Sequence, residues 1–343
     1  MTKSGVSVIV CCYNSANRLL PTLRHLMEQK VPSSIPWEVV VVDNASDDDT
    51  AEVARRAWSC NPPAPLVVVH EPNPGLSHAR YRGFSAAKLG VVSFIDDDNW
   101  VCRDWVSIVD CIMSEHPEIG ACGGLNDPVC ERPPPEWFHQ YQYAYACGPQ
   151  GTRSGYVADD RGFLWGAGLS IRRIALEDLY KAGFQSLLSD RTGKSLAAGG
   201  DLEICAALRL MKWQLWYEPE LRLNHFLPAK RLTWSYLRRL VFGFGVSEVG
   251  LTPYLRLLGN GDSMLTDSWR SSSLRVLWSL LRFRLNLVRS VFGQNDGAGY
   301  VLAVDKLLGR LKELCEKRSS YDVSFSSVNG FFSNYRIANG QCA

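Results

Sequence analysis

Three aspartates and an asparagine, Asp96-Asp97-Asp98-Asn99, stand directly behind the apolar run VVSFI (91–95). Adjacent carboxylates repel one another and are costly to desolvate unless a cation neutralises them. Mg²⁺ and Mn²⁺ do so through oxygen ligands, commonly one or two carboxylates together with substrate phosphates. A solvated acidic turn capping the next helix is the plainer alternative, but the position after a buried strand favours chemistry. Asp43 closes a second apolar run, just before Asn44-Ala45-Ser46. A carboxylate there either accepts hydrogen bonds from a base or ribose or caps a helix. In EPNPGLSHARYRG (71–83), Gly75 permits a tight turn ahead of a helix N-terminus. Arg80 and Arg82 follow one turn in, near where phosphates could sit; an ordinary loop and a solvated helical face fit the same residues.

These residues need a frame. VSVIV (6–10), WEVVVVD (37–43), LVVVH (66–70) and VVSFI (91–95) are rich in β-branched residues, as strands buried on both faces require. Helices are predicted between them: over about 17–28, after the cap-rich NASDDDT, and over 77–88. This βαβαβαβ order predicts a mostly parallel sheet with right-handed crossovers, with ligands at the carboxyl ends of its strands. Residues 126–160, rich in Pro, Gly, Tyr and Gln, read as a long, partly ordered excursion over an active face. Beyond it come a strand and turn (162–171), a helix (200–213) and an extended segment ending near His225. The last third is helical in pattern, and the Ser/Asn/Gly-rich tail after Tyr321 reads as loosely ordered. No internal repeat is visible.

The 343 residues are 46% hydrophobic and 21% charged, enough to bury a sizeable core and to exclude disorder as the overall class. A formal net charge of +2 gives no reason to expect nucleic acid as a partner. Eleven cysteines, an odd number with Cys11 and Cys12 adjacent and no CxxC spacing, argue against a disulfide framework and structural zinc. A reducing cytosol is the simpler expectation. The apolar run near the N-terminus is too short for a signal peptide, and no stretch is long and charge-free enough to span a bilayer. A protein that is soluble or lies on a membrane surface is expected.

VSVIVCCYN, VVVDNASDDDT, NPGLSHARYRG and FIDDDNW, in this order and spacing, resemble the motifs of family 2 glycosyltransferases. The resemblance covers about residues 6–226. It implies a GT-A fold: a Rossmann-like, mostly parallel central sheet with flanking helices, here with a C-terminal helical extension. It also implies a nucleotide-sugar-binding half (1–125), an acceptor-binding and catalytic half (126–235), and a helical region with a loose tail (236–343). The first motif departs from the commoner Pro-Thr-Tyr-Asn form, and Tyr81 stands where many members carry Asn. By this resemblance Cys11, Tyr13, Asn14 and Asp43 hold the uridine of a nucleotide sugar, and Arg80 lies near the diphosphate or base. Asp96 meets the ribose, with Asp97 beside it on the donor side, and Asp98 ligates Mn²⁺ or Mg²⁺.

GGDLEICAALRL (199–210) occupies the place of the family's Glu-Asp motif, with Gly200 replacing the Glu and Asp201 retained. Inverting transfer needs one base to take the acceptor hydroxyl proton, and Asp201 is the candidate. Glu203, turned well away from it on a helix, is the alternative and an acceptor-side candidate. Asp201 could instead simply cap the helix. In many GT-A enzymes a late histidine joins the metal, which makes His225 a candidate ligand; a lone His is also commonly a satisfied core residue. The indole of Trp165, flanked by glycine, could stack on an acceptor sugar or sit in the core.

SLRVLWSLLRFRLNLVRSVF (273–292) places Arg275, Arg282 and Arg289 seven apart on one stripe, with Leu277, Leu281, Leu285 and Val288 away from it. Such a helix either packs its apolar face on the protein or lies at a membrane interface with Trp278 and the leucines inserted. The whole reads as a metal-dependent inverting glycosyltransferase that takes a nucleotide sugar, UDP-linked by resemblance. The acceptor would be a glycan or lipid-linked, in bacterial polysaccharide assembly, in the cytoplasm or at the inner membrane face. A nucleotidyltransferase on a similar fold and a degenerate sugar-binding protein are the alternatives.

Overall fold

A computed structural model describes residues 3–157, 161–188, 199–259, 268–283 and 296–338. The four apolar runs are the strands β1 (Lys3–Cys12), β2 (Trp37–Asn44), β3 (Leu66–Glu71) and β4 (Leu89–Asp96), paired in parallel in the order β3-β2-β1-β4. The sheet continues with β5 (Asn99–Val101), β6 (Ile119–Cys130), β7 (Gly155–Tyr156), β8 (Leu169–Arg172) and β9 (Gln214–Leu227). Its full order is β3-β2-β1-β4-β8-β6-β9-β5, with β7 also on β9. The strand β8 runs antiparallel to both β4 and β6, whereas β6 and β9 are parallel.

The crossover helices are α1 (Leu19–Met27), α2 (Thr50–Ala57), α3 (Leu76–Ala86) and α4 (Trp105–Glu115). Leu19, Leu23 and Leu26 of α1 and Trp105, Val109 and Ile112 of α4 form one buried cluster with Val6, Val8, Val10, Val39 and Val41. Successive residues of a strand face opposite ways, so Ile9 and Val42 point to the other side. There Gly83 of α3 lies so close that a Cβ on it would stand 2.4 Å from Ile9 Cγ2 and 3.0 Å from Val42 Cγ2.

The chain forms two compact units. One comprises Met1–Glu131, Ala146–Lys181 and Lys212–Leu227, and holds the entire sheet together with α1 to α4. The other comprises Arg132–Tyr145, Ala182–Met211 and Pro228–Ala343. It contains α5 (Phe138–Tyr141), whereas the next helix, α6 (Arg173–Lys181), belongs to the sheet unit. The second unit goes on with α7 (Gly200–Leu210), α8 (Trp234–Gly259), α9 (Trp269–Arg282), α10 (Gly299–Lys317) and α11 (Ser319–Ala338). The backbones of α8 and α10 touch through glycines: a Cβ on Gly245 would be 2.0 Å from the Lys306 carbonyl oxygen. Arg238 clamps Asp305 across this contact with two hydrogen bonds of 2.8 and 3.0 Å.

Two expectations change. Residues 126–130 continue β6 rather than opening an excursion. The tail expected to be loose is the helix α11, because Tyr321, Val328 and Phe332 find buried partners that the local composition does not reveal. The expected basic helix 273–292 is described only as far as α9 and Phe283; Leu285, Val288 and Arg289 lie outside the described residues.

Gly83→Ala forces a methyl group into the α3–sheet contact. It is expected to destabilise the fold by about 1–3 kcal/mol, as overpacking does, read as a lower urea midpoint. An unchanged midpoint would mean that α3 lies off the sheet.

Candidate active site

The acidic run lies where β4 ends and the chain turns into β5. The backbone N–H of Asp96 donates to Asn99 Oδ1 at 3.1 Å, and Asn99 Nδ2 donates to Asp98 Oδ1 at 3.2 Å. Asn99 thus holds both sides of the turn. The strand β5 pairs antiparallel with β9, putting Asn99 opposite His225, and the Phe226 N–H donates to the Asp98 carbonyl at 2.9 Å. This register brings His225 Nε2 to 3.6 Å from Asp98 Oδ1, with both side chains buried. The other ring nitrogen, Nδ1, lies 3.8 Å from the Cys147 sulfur. A carboxylate and an imidazole converge here. Among the described residues no group of three or more His, Cys, Asp or Glu side chains is arranged to hold a metal ion.

Asp97 turns the opposite way. Its carboxylate is buried, accepting a hydrogen bond from the Ser15 hydroxyl and pairing with Arg18 Nη2 at 2.8 Å. The Thr22 hydroxyl donates to its carbonyl at 2.9 Å. Burial pushes this carboxyl above the ordinary range and the charge of Asp98 adds to the rise, while Arg18 and Ser15 oppose it. Asp97, expected on the donor side, is therefore an internal anchor whose Oδ2 is engaged by both Ser15 and Arg18. Arg18 extends the tie, donating to the Tyr13 carbonyl at 2.9 Å and the Asn14 carbonyl at 3.3 Å.

Beside the acidic turn lie the carboxyl ends of β1 and β2. Register places Cys11 against Val42 on one side and Asp96 on the other, and Cys12 against Asp43. Burial pushes the Cys11 thiol up to about 12, so with no metal beside it the thiol stays protonated at neutral pH. Tyr13 is exposed. Asn14 takes a left-handed conformation (φ 49°), which asparagine tolerates well. Its Oδ1 accepts from the Asp47 N–H at 2.8 Å and its N–H donates to Ser46 Oγ at 3.0 Å. Asp43 Oδ2 lies 3.4 Å from His70 Nδ1, whereas Oδ1 is buried with no hydrogen-bond partner among the described residues. Such an acceptor is costly to bury unless something outside the protein satisfies it. Arg80, on α3, holds its guanidinium over the Phe94 ring at 5.7 Å.

Of the remaining candidates, Trp165 belongs to the sheet unit and Asp201 and Glu203 to the helical unit. Trp165 is buried; its backbone N–H donates to Gln150 Oε1 at 2.7 Å and Arg161 covers its ring at 4.9 Å. That is a core tryptophan under a cation, not an open platform for a sugar. Asp201 is half-buried in the first turn of α7, where Gly199 is the cap residue. Glu203, read from sequence as an acceptor-side group, is instead buried within the helical unit. Its Oε1 accepts from the Leu187 N–H at 2.7 Å, Ser186 donates to Oε2, and the Tyr254 hydroxyl bonds it as well.

The profile described as Glycosyl transferase family 2 matches residues 7–180, just over half of the chain and the whole stretch from β1 to α6. The chain belongs to glycosyltransferase family 2. This glycosyltransferase is 28% identical over 105 residues to the putative glycosyltransferase EpsH of Bacillus subtilis, 31% of this chain and 29% of EpsH. The chain thus spans less than a third of that relative. It is 24% identical over 273 residues to the succinoglycan biosynthesis protein ExoM of Rhizobium meliloti, covering 77% of this chain and 78% of ExoM. Its fold is that of S. aureus TarS residues 1–349 in complex with UDP-GlcNAc: TM-score 0.53, 14% identity, 98% of this chain and 92% of the other. It is likewise that of the mannosyltransferase PcManGT from Pyrobaculum calidifontis in complex with GDP-Man and Mn²⁺: TM-score 0.54, 20% identity, 95% and 87% covered. At these identities the likeness establishes the GT-A fold and nothing finer.

Arg18, Ser15 and Asn99 hold the acidic turn, and of these the sequence pointed only to Asn99. Asn99 was visible beside the aspartates; Arg18 and Ser15 gave no local signal. Glu203 offers a direct test of its burial. Burial raises its folded-state pKa, so the folded protein holds that proton where the unfolded chain has released it. The stability this contributes is full below the ordinary glutamate value of about 4.3 and is lost as pH rises through the folded-state value. Glu203→Gln removes the loss, so the Tm of the variant relative to wild type is expected to rise from about pH 4 to about pH 7. A pH-independent difference would place Glu203 in water.

Proposed function

We propose that the protein is a metal-dependent inverting transferase that moves a sugar from a UDP-linked donor to a glycan or lipid-linked acceptor in polysaccharide assembly. The observation that carries this reading is the Asp98–His225 pair, 3.6 Å apart and buried beside the turn that follows the parallel strands. The Asp98 carboxylate is the hard oxygen donor that Mn²⁺ or Mg²⁺ prefers, and the His225 imidazole suits Mn²⁺ only moderately. A divalent cation held by Asp98 and His225 would offset the charge that develops on a departing nucleoside diphosphate.

The chain's own groups do the rest. Asp43 Oδ1, buried without a partner, is suited to accept an N–H of the base. Cys11, Tyr13 and Asn14 line the neighbouring strand end on the donor side, Asp96 takes the ribose, and Arg80 stands toward the diphosphate. Asp201 takes the proton of the acceptor hydroxyl as that oxygen attacks the anomeric carbon from the face opposite the leaving group, which inverts the centre. The nucleotide sugars named with the solved relatives support a nucleotide-sugar donor, and the succinoglycan role in the name of ExoM supports polysaccharide assembly. No helix among the described residues is long and apolar enough to cross a membrane.

A panel of nucleotide sugars with and without Mn²⁺ tests the donor site by thermal stabilisation. One UDP-sugar is expected to stabilise the wild type by about 2.7 kcal/mol at a hundredfold excess over Kd, only with Mn²⁺, and Asp98→Ala is expected to lose the effect. No stabilisation by any nucleotide would favour the degenerate binding protein. Asp201→Asn is expected to keep donor-induced stabilisation while turnover falls by roughly 10²–10⁴. Unchanged turnover would remove Asp201 from the role of base.

A further inference from the structure

The helix α9 is apolar on two sides. Its inner side is accounted for: Val276 and Leu280 join a buried cluster with Val249, Val304, Leu314 and Tyr321, and Ser272 Oγ meets the Tyr321 hydroxyl at 3.2 Å. Its outer side is not. Leu274, Leu277, Trp278 and Leu281 are all exposed, Trp278 to 66%. Their spacing of three and four residues makes them one continuous stripe.

The charge beside that stripe is of a single sign. Arg275 and Arg282 are exposed, seven residues apart, and at 100° per residue both fall along the edge of the stripe next to Trp278. From Trp269 to Arg282 the helix carries no acidic residue. A second copy of this face would bring arginine against arginine. An apolar partner groove would account for the leucines but not for the one-signed flank. An amphipathic helix with leucines and a tryptophan on one face and arginines at its margin matches the boundary between acyl chains and anionic headgroups. With 14 residues α9 is too short to span a bilayer and suited to lie in its surface.

We infer that the outer face of α9 docks the protein onto an anionic lipid bilayer, with Leu274, Leu277, Trp278 and Leu281 at the acyl boundary and Arg275 and Arg282 on the headgroups. The inference goes beyond the transfer reaction and stands apart from it, since binding is read with no donor or acceptor present. The test is co-sedimentation of the full chain with vesicles of phosphatidylcholine alone or with added phosphatidylglycerol. Binding to the anionic vesicles is expected to exceed binding to neutral ones by at least about tenfold at low salt and to fall as salt rises. Trp278→Glu/Leu281→Glu is expected to abolish binding. Arg275→Glu/Arg282→Glu is expected to weaken binding to anionic vesicles by at least about thirtyfold, toward the neutral level. All four side chains are exposed, but Arg275 Nη2 also donates to Ser272 Oγ at 3.0 Å, so Trp278→Glu/Leu281→Glu is expected to keep the wild-type Tm and the Tm of the arginine variant, measured beside it, separates lost docking from lost folding. Wild-type protein left in the supernatant with both vesicles, or binding that survives both variants, overturns the inference. So does a concentration-dependent dimer that Trp278→Glu/Leu281→Glu dissolves, which would assign the face to a second copy.

Discussion

Three consecutive carboxylates repel one another, and the chain answers the repulsion by sending neighbours in different directions. Asp97 goes inward to Ser15 and Arg18, Asp98 goes to His225, and Asp96 stays at the end of β4. The inward turn is the interaction on which the site depends. Removing Arg18 would leave a buried carboxylate without its cation, the costly case for a buried ion pair. With Arg18 in place, the same guanidinium holds the carbonyls of Tyr13 and Asn14, so two loops of the sheet unit share one anchor.

The sheet underneath is what allows loops so rich in charge. Val6, Val8, Val10, Val39 and Val41 are buried in a single cluster, and α1 and α4 close that cluster on one face. The opposite face admits α3 through the missing side chain of Gly83. Burying five such valines contributes roughly 1.5–3 kcal/mol each, an upper bound in view of the compact unfolded chain. That is large beside the ~1 kcal/mol of a typical hydrogen bond at the rim. Packing supplies the stability, and the polar rim spends part of it on a fixed arrangement of charge.

Much of the sheet unit was legible in the sequence because parallel strands buried on both faces must be continuous and β-branched, and the four runs satisfy that at once. The acidic turn stood out because three carboxylates follow a buried strand, whereas His225 was singled out by the family resemblance, and the β5–β9 register brings it to Asp98. Arg18 was invisible because its partner, Asp97, is remote in sequence and nothing in a helix-start arginine announces it. Glu203 and Trp165 misled for the converse reason. Each has a residue type with a ready chemical use, but Leu187 and Tyr254 engage the Glu203 carboxylate and Arg161 covers the Trp165 ring. The C-terminal tail shows tertiary context overriding composition. Ser, Asn and Gly argue against helix locally, while Tyr321, Val328 and Phe332 fall on one buried side of α11.

The loops at the ends of β1 and β2 are stitched to one another by side chains before any ligand arrives. Asn14 bonds the backbone of Asp47 and Ser46 Oγ, Asp48 bonds the backbone of Ala16, and Asn44 bonds the carbonyl of Asn73 and the N–H of Gly75. A molecule seated at these strand ends meets a rim already rigid. It forfeits little of its binding energy to ordering the protein, and its arrival is limited by encounter and fit rather than by the time a loop takes to settle. A base taken up at that end, as proposed, would be selected by its match to a fixed shape.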